Sequence, residues 1–584
     1  MNSLVRLALA HPRRLVALVA ALVYANTLHN APVLDDGWVI FDNSLIKSLR
    51  NVPAIFAEPY NAALRGANAG LYRPVTMLSY AINYDMGGPN VLSYHLGNLL
   101  LHVLCSVLVF QLGALLWSAS LAGASGKASG GGPLLGALLF AVHPVHVEAV
   151  TGLVGRAELL ATAGALACLY LTCTRQRARW RYPAALAALA AAVLSKENAA
   201  VTPLLFGLIA VALPTAAGLE ARPGFSSPGA PPRRSLARGT LLAGGMACAA
   251  ALYVVLRPAG GGVPVESQWF AGQPGHVVFN TMTRVVAEYW RLLVWPFPLG
   301  LDFYYSSRIP YALTFTPTCL FDTLAWLAVL ALGIVLLRRA PVVGAGILWV
   351  FIALLPVLNI VPIGVLMAER LLYLPSAGFC IAAGIGVAAA LGGVRPGSGV
   401  AAFALPARAG VMLAGLALGA KSWTRNAEWR DGSTLWQAEL KKEPEDPVVN
   451  NNLALVYMDR GELAQARERL AVTLRVAPFY WQAQVNMGII AHKLGDDSAA
   501  IRWLTSARQV APTQSDPDYF LARVLGDGGR FAEAVELLSR AEAVAPSAAW
   551  IHLYRGRYLQ QLKRWDEATA ELKRAAELDP ALAH

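Results

Sequence analysis

Charge is scarce in this chain. Asp, Glu, Lys and Arg make up 14% of its 584 residues, and 56% are hydrophobic; ordinary soluble domains carry roughly 25% charged residues. Lysine is rarer still, with nine residues against 39 arginines. So little charge over long apolar stretches excludes a soluble globular domain as the whole of the protein. Cysteine is sparse as well. All six cysteines (Cys105, Cys168, Cys173, Cys248, Cys319, Cys380) fall in or at apolar segments, which excludes a disulfide framework or a zinc knot. Acidic residues are few in one part only. The first 421 residues hold 28 basic and 14 acidic side chains, whereas the remainder holds 20 and 22. The positive excess therefore sits with the apolar runs, where basic loops orient membrane spans, and nucleic acid is not implied as a partner.

What is present falls into two patterns. Near the end, Pro478, Pro512, Pro546 and Pro580 stand 34 residues apart, the period of a tetratricopeptide array. Ala466, Ala500, Ala534 and Ala568 keep the same interval where two helices must cross closely. Leu470, Leu504, Leu538 and Leu572 supply the core, and Gly461, Gly495 and Gly529 mark the turn, with Lys563 replacing the last glycine. Ala454, Gly488, Ala522 and Gly556 mark the packed position of each first helix. Four units over 447–480, 481–514, 515–548 and 549–582 follow, with a partial unit and connector over 422–446 around Leu435, Trp436 and Pro444.

The first 421 residues form the other pattern. Apolar runs suggest eleven spans, near 15–28, 91–117, 133–150, 157–174, 182–195, 198–214, 239–256, 316–337, 341–358, 371–392 and 406–421. Several fall short of the roughly 20 residues a simple crossing needs. Arginine clusters at 6–14, 175–181, 233–238 and 338–339 all fit one cytoplasmic side, and an odd span count then puts the repeats outside. The apolar stretch 277–295 carries Arg284, Glu288 and Arg291 and reads as an interfacial helix. Nothing near Thr27 resembles a signal-peptide cleavage site, so the first run reads as a span.

Ionisable residues gather in the external loops: Asp35-Asp36 after the first span, Tyr72-Arg73-Pro74, His143 to Glu148, Arg156 with Glu158, Lys196-Glu197, and Glu369-Arg370. Ionisable groups at membrane depth are costly unless paired or functional. His143, His146 and Glu148 have a superficial metal-ligand spacing, but Pro144 spoils a regular helical face and no metal is expected. His95, Asn98 and His102 share a helical face and read as interhelical hydrogen-bonding groups.

Taken together, Leu34-Asp35-Asp36, Tyr72-Arg73-Pro74, the run from Tyr94 to His102, Ala141-Val142-His143-Pro144 through Arg156-Ala157-Glu158, Lys196-Glu197, and Ala368-Glu369-Arg370-Leu371-Leu372-Tyr373-Leu374-Pro375-Ser376 resemble the transmembrane and tetratricopeptide-repeat-containing (TMTC) family of protein O-mannosyltransferases. The resemblance covers nearly the whole chain. It implies an all-α polytopic membrane domain of type-C glycosyltransferase fold followed by a tetratricopeptide α-solenoid. It also implies a sugar, mannose by default, carried on a polyprenyl or dolichyl phosphate, with no cofactor. The acceptor would be a Ser or Thr hydroxyl of an exported polypeptide held by the repeats. The alanine and arginine richness fits a bacterial inner membrane, with active site and repeats extracytoplasmic.

In such an enzyme a carboxylate takes the acceptor proton, and the fold assigns this to Asp35 or Asp36; an exposed pair capping a short helix is the bland alternative. Cations stabilise the leaving phosphate, for which Arg370, Arg156 and Lys196 are candidates. Glu369, Glu158 and Glu197 beside them offer structural ion pairs instead. Arg73, His143, His146 and Glu148 complete the expected substrate pocket. The residues alone leave open a same-fold transferase acting on a glycolipid or cell-wall polymer, and a non-enzymatic membrane-anchored scaffold.

Overall fold

The computed structural model describes residues 10–60, 71–121, 131–174, 178, 180–216, 244, 246–247, 251, 270, 272–360, 363–392 and 401–579. Most of the expected span at 239–256, and Pro580, lie outside them. Among the described residues all regular structure is helical, as a bilayer requires of an open chain, because a helix pairs its own backbone N–H and C=O groups. Contacts divide the chain into two compact units, with the boundary between Asp431 and Gly432.

The helices of the first unit follow the expected runs: Pro12–Tyr24, Val91–Ser120, Gly131–Val142, Arg156–Cys173, Arg181–Ser195, Thr202–Ala212, Pro317–Arg339, Pro341–Leu354, Tyr373–Gly392 and Ala401–Glu428. Their lengths are uneven. Four stretches (Val91–Ser120, Leu153–Cys173, Pro317–Arg339, Glu369–Leu391) are long and apolar enough to cross a membrane, and a fifth results if the bent pair Gly131–Val142 and Pro144–Thr151 counts as one. Three apolar helices are shorter. The shortening has local causes. Pro144 lacks the N–H that would continue the preceding helix, and the bend there is 49°. Lys196 is extended (φ −158°, ψ 136°) between Arg181–Ser195 and the 3₁₀ turn Glu197–Val201. Pro12, Pro74, Pro317 and Pro341 each open a helix, where the missing donor costs nothing.

The Gly275–Val294 helix is amphipathic, burying Val277, Val285, Tyr289 and Leu292, and its half-buried Glu288 and Arg291 pair with each other at 2.6 Å. Pro317–Arg339 leaves Phe321, Leu324 and Ile334 exposed, an apolar face suited to lipid. The last helix of the unit runs on past residue 421 to Glu428, so the expected connector divides: its first part completes this helix and Gly432–Lys442 begins the second unit.

The second unit contains four helical hairpins in register. First helices begin at Pro447, Trp481, Ser515 and Ala549, and second helices at Leu463, Asp497, Phe531 and Trp565, each 34 residues after its predecessor. The alanines at 466, 500, 534 and 568 are buried. A Cβ at Gly488 would lie 2.6 Å from Leu504, and one at Gly556 2.8 Å from Leu572, so the small residues are required by the crossing. Gly461, Gly495 and Gly529 turn with φ of +76°, +81° and +78°, and Lys563 takes the same left-handed conformation at +62°.

Candidate functional site

The charged motifs lie at breaks between helices, and their ion pairs join distant segments. Sequence neighbours point to different partners. Glu148 accepts from the Arg370 backbone amide at 2.9 Å and from its guanidinium. Glu158 pairs with Lys196 and accepts from Asn198 Nδ2 at 2.7 Å. Glu197 takes a fork from Arg73 at 2.6 and 3.1 Å. Glu369, adjacent to Arg370, instead meets Arg425 at 3.0 Å, with both side chains buried. These contacts form two groups, 73 with 158 and 196–197, and 148 with 369–370 and 425, and the charge of Arg370 on Lys196 relates them as one array. A two-pronged Arg–carboxylate pair fixes orientation as well as charge.

The two aspartates at the head of the array differ. Asp36 is buried; its two oxygens accept from the amides of Val33 at 3.1 Å and Val154 at 3.0 Å. It thereby clips the loop after the first helix to the turn that precedes Arg156. Burial pushes its carboxyl up to about 7, against the pull of the Val33, Val154 and Leu153 amides, with the charge of Asp35 adding to the rise. Asp35 is exposed and accepts only one long bond among those resolved, from Trp38 Nε1 at 3.3 Å. Its charge acts on Arg370 and on Tyr60, and the Tyr60 ring carries the Arg73 guanidinium 5.4 Å from its centroid. The two candidate bases are thus one exposed and one buried carboxylate, and neither side chain caps the short helix that follows.

Arg156 is enclosed by neutral acceptors. It donates to Asn98 Oδ1 at 2.9 Å, the carbonyls of Tyr94 at 2.7 Å and Ser79 at 3.3 Å, and Asn83 Oδ1. It also lies over Tyr80, 4.8 Å from the ring centroid. Those contacts occupy the guanidinium and tie three helices together, Pro74–Gly87, Val91–Ser120 and Arg156–Cys173. Arg370, Arg73 and Lys196 differ in that each faces a carboxylate and keeps 27%, 12% and 10% of its side chain exposed.

The histidines sit deeper. His143 bonds the Leu293 carbonyl at 3.0 Å and His146 bonds Ser376 Oγ at 2.8 Å. Both pack among His102, Phe140, Tyr373 and Phe379. Their spacing builds a buried aromatic junction between the Gly131–Val142 and Tyr373–Gly392 helices. No group of three His, Cys, Asp or Glu side chains converges to hold a metal among the described residues. His95, Asn98 and His102 make the expected interhelical bonds, to Asn30 O, to Val150 and Gly152 O, and to Tyr373 and Ala141 O.

Similar proteins now bear on this arrangement. A family model described as tetratricopeptide repeat matches residues 451–517 and 519–583. Protein O-mannosyl-transferase Tmtc1 of Drosophila melanogaster is 25% identical over 80% of this chain and 62% of its own length. Protein O-mannosyl-transferase TMTC4 of Homo sapiens is 28% identical over 77% of this chain and 64% of its own. The chain is a homologue of the TMTC proteins. It spans less than two thirds of the length of these relatives. Among solved structures, that of MamA is 23% identical over 25% of this chain and 86% of its own, with a TM-score of 0.23.

Two parts of this TMTC homologue's site escaped sequence reasoning. Arg425 fell beyond the last expected span; the signal was the absence of glycine between 420 and 431 and of proline between 407 and 443, which lets the helix run through it. The segment 299–305 carried no motif, yet Glu369 accepts from Gly300 N at 2.6 Å and Tyr305 OH at 2.8 Å, and Arg425 donates to Gly300 O at 3.2 Å.

Proposed function

We propose that this protein is an integral-membrane glycosyltransferase that moves a sugar, mannose by the names of its homologues, from a polyprenyl or dolichyl phosphate to Ser or Thr hydroxyls of exported polypeptides. The observation that carries the reading is an exposed carboxylate, Asp35, on the loop that Asp36 fastens to Val154, together with the partly exposed cations Arg370 and Arg73, each facing a carboxylate. A carboxylate beside a phosphate-binding cation has the two groups the reaction needs. It takes the proton from the acceptor oxygen as that oxygen bonds to the anomeric carbon. The anomeric carbon–oxygen bond breaks as the phosphate leaves, and Arg370, with Arg73 and Lys196, offsets the charge gathering on it. The reading needs no cofactor, since these side chains supply the charge and the lipid phosphate is a substrate. Attack from the face opposite the phosphate would invert the anomeric centre.

Asp36, Glu148, Glu158, Glu197 and Arg156 hold this array in place, and His143 and His146 fix the helices beneath it. Membrane-buried ion pairs of this kind hold when both partners and their remaining hydrogen bonds are satisfied. The active face and the repeats are assigned to the extracytoplasmic side on the placement of basic loops, and a reporter fused at residue 430 tests that orientation. The repeats would hold the acceptor and raise its local concentration. Support comes from their first helices, which carry the half-buried Arg523 over the Tyr554 ring.

The test is transfer by the purified protein supplied with polyprenyl-phosphate mannose, exported proteins and membrane glycolipids. Mass spectrometry should find hexose on Ser or Thr of peptides. Label confined to glycolipid would favour a lipid acceptor, and no label anywhere would favour a scaffold. Removing residues 447–584 should weaken use of protein acceptors more than hydrolysis of the donor; equal loss of both would contradict the platform role.

A further inference from the structure

Residues 299–305 are fastened to the array from two directions. Glu369 accepts from Gly300 N at 2.6 Å and from Tyr305 OH at 2.8 Å. Arg425 contacts the Leu299 carbonyl at 3.4 Å, the Gly300 carbonyl at 3.2 Å and both oxygens of Glu369 at 3.1 and 3.0 Å. Glu369, Arg425 and Tyr305 are essentially inaccessible to solvent. A buried pair tied further to two backbone carbonyls, a backbone amide and a hydroxyl holds its geometry, because loss of either partner leaves an uncompensated charge. Between the two fastened residues stands Asp302, the first residue of the Asp302–Arg308 helix, partly exposed where its neighbours Leu301, Tyr304 and Tyr305 are buried. Glu369 is followed in sequence by Arg370, so one clamp fixes both Asp302 and Arg370. The charge of Asp302 bears on the Arg370 guanidinium, as does that of Asp35.

We propose that Asp302 is a substrate-site residue that accepts hydrogen bonds from hydroxyls of the sugar on the lipid-phosphate donor, and that Glu369 and Arg425 are positioning residues that hold it there. The inference rests on the reading of Arg370 as a phosphate-binding cation. The phosphate is bonded to the sugar at its anomeric carbon, so a carboxylate fixed near the phosphate-binding cation, and separate from the base, faces either the sugar ring or the acceptor. Asp35 serves the acceptor. A carboxylate accepts strongly from hydroxyl donors, and a site built to hydrogen-bond a substrate hydroxyl discriminates against analogues that lack it.

The experiment measures binding of two lipids to the detergent-purified full chain, a short-chain polyprenyl phosphate with and without mannose, alongside transfer to a Ser/Thr peptide. Wild-type protein should bind the sugar-bearing lipid about tenfold or more tightly than the bare phosphate, the gain of hydrogen bonds to a charged group. Asp302→Asn should abolish that preference without lowering the affinity for bare lipid phosphate and without changing the KM for peptide. Asp302→Glu should restore part of it. Arg370→Gln should weaken both lipids together. A preference retained in Asp302→Asn and Asp302→Ala, or an equal loss for both lipids, would overturn the assignment while leaving the transferase reading intact. Failure of wild-type protein to bind either lipid would overturn both.

Discussion

Gly384 and Gly136 lie back to back where the Tyr373–Gly392 and Gly131–Val142 helices cross. A Cβ at 384 would collide with the Gly136 backbone, and one at 136 would lie 2.5 Å from the Cys380 carbonyl oxygen. The crossing has a consequence for chemistry. Glu148 follows the first of these helices and Arg370 precedes the second, so the contact of two glycines brings the two sides of that ion pair together. Small residues that let helix backbones approach are a principal means of association inside a bilayer.

Gly384→Ala and Gly136→Ala should each destabilise the membrane unit, by about 1–3 kcal/mol as overpacking does. Thermal unfolding in detergent should show the fall. Gly386→Ala, with nothing within 4 Å of the added carbon, should show none.

Asp36→Asn should cost stability whereas Asp35→Asn should not. Asp36 receives two backbone N–H groups, one on each oxygen, and an amide in its place turns an NH₂ toward one of them. The cost of that unmatched buried donor is about 1–3 kcal/mol. Thermal unfolding of the two variants side by side checks it, and equal stability would contradict the clip.

Lys563→Gly should stabilise the last hairpin. A lysine at φ +62° carries strain that the glycines at the same point of the other three units avoid, and relief net of the entropy of glycine amounts to about 1 kcal/mol. Slower amide exchange in 549–578, with no change in 447–476, is the expected result.

His492 joins two repeats, Nδ1 to Asp497 at 2.6 Å and Nε2 to Asp527 at 3.1 Å. The bond to Asp497, then that to Asp527, raises its basicity above the ordinary histidine value of 6.5. The sign follows: a folded value above the unfolded one gives stabilisation that is complete below about 6.5 and is lost as pH rises through the folded value. Amide protection factors across 481–544, which are corrected for the intrinsic base catalysis of exchange, should therefore fall above neutrality, and His492→Gln should remove that dependence.

Much of this was legible in the sequence, for reasons that differ by region. The repeats could be read almost to the residue because each position serves one packing need: Ala500 has no room to be larger and Gly495 must turn left-handed. The apolar runs gave helix positions, but Pro144 and the extended Lys196 break them in ways that hydropathy does not register. The charged motifs were visible as candidates, yet their pairing was not. Glu158 reaches Lys196 and Glu369 reaches Arg425 across 38 and 56 positions, and only packing decides such partners. For the same reason Asp35 and Asp36 were equivalent in sequence and are opposite in structure.

The central claim is that Asp35 takes the acceptor proton while Asp36 holds the loop. Its most direct measurement is single-turnover transfer from polyprenyl-phosphate mannose to a Ser/Thr peptide by purified Asp35→Asn, compared with wild type at equal thermal stability and equal donor affinity. Loss of a general base predicts a fall in rate of about 10²–10⁴-fold with donor binding retained. An Asp35→Asn protein that transfers at the wild-type rate would contradict the account.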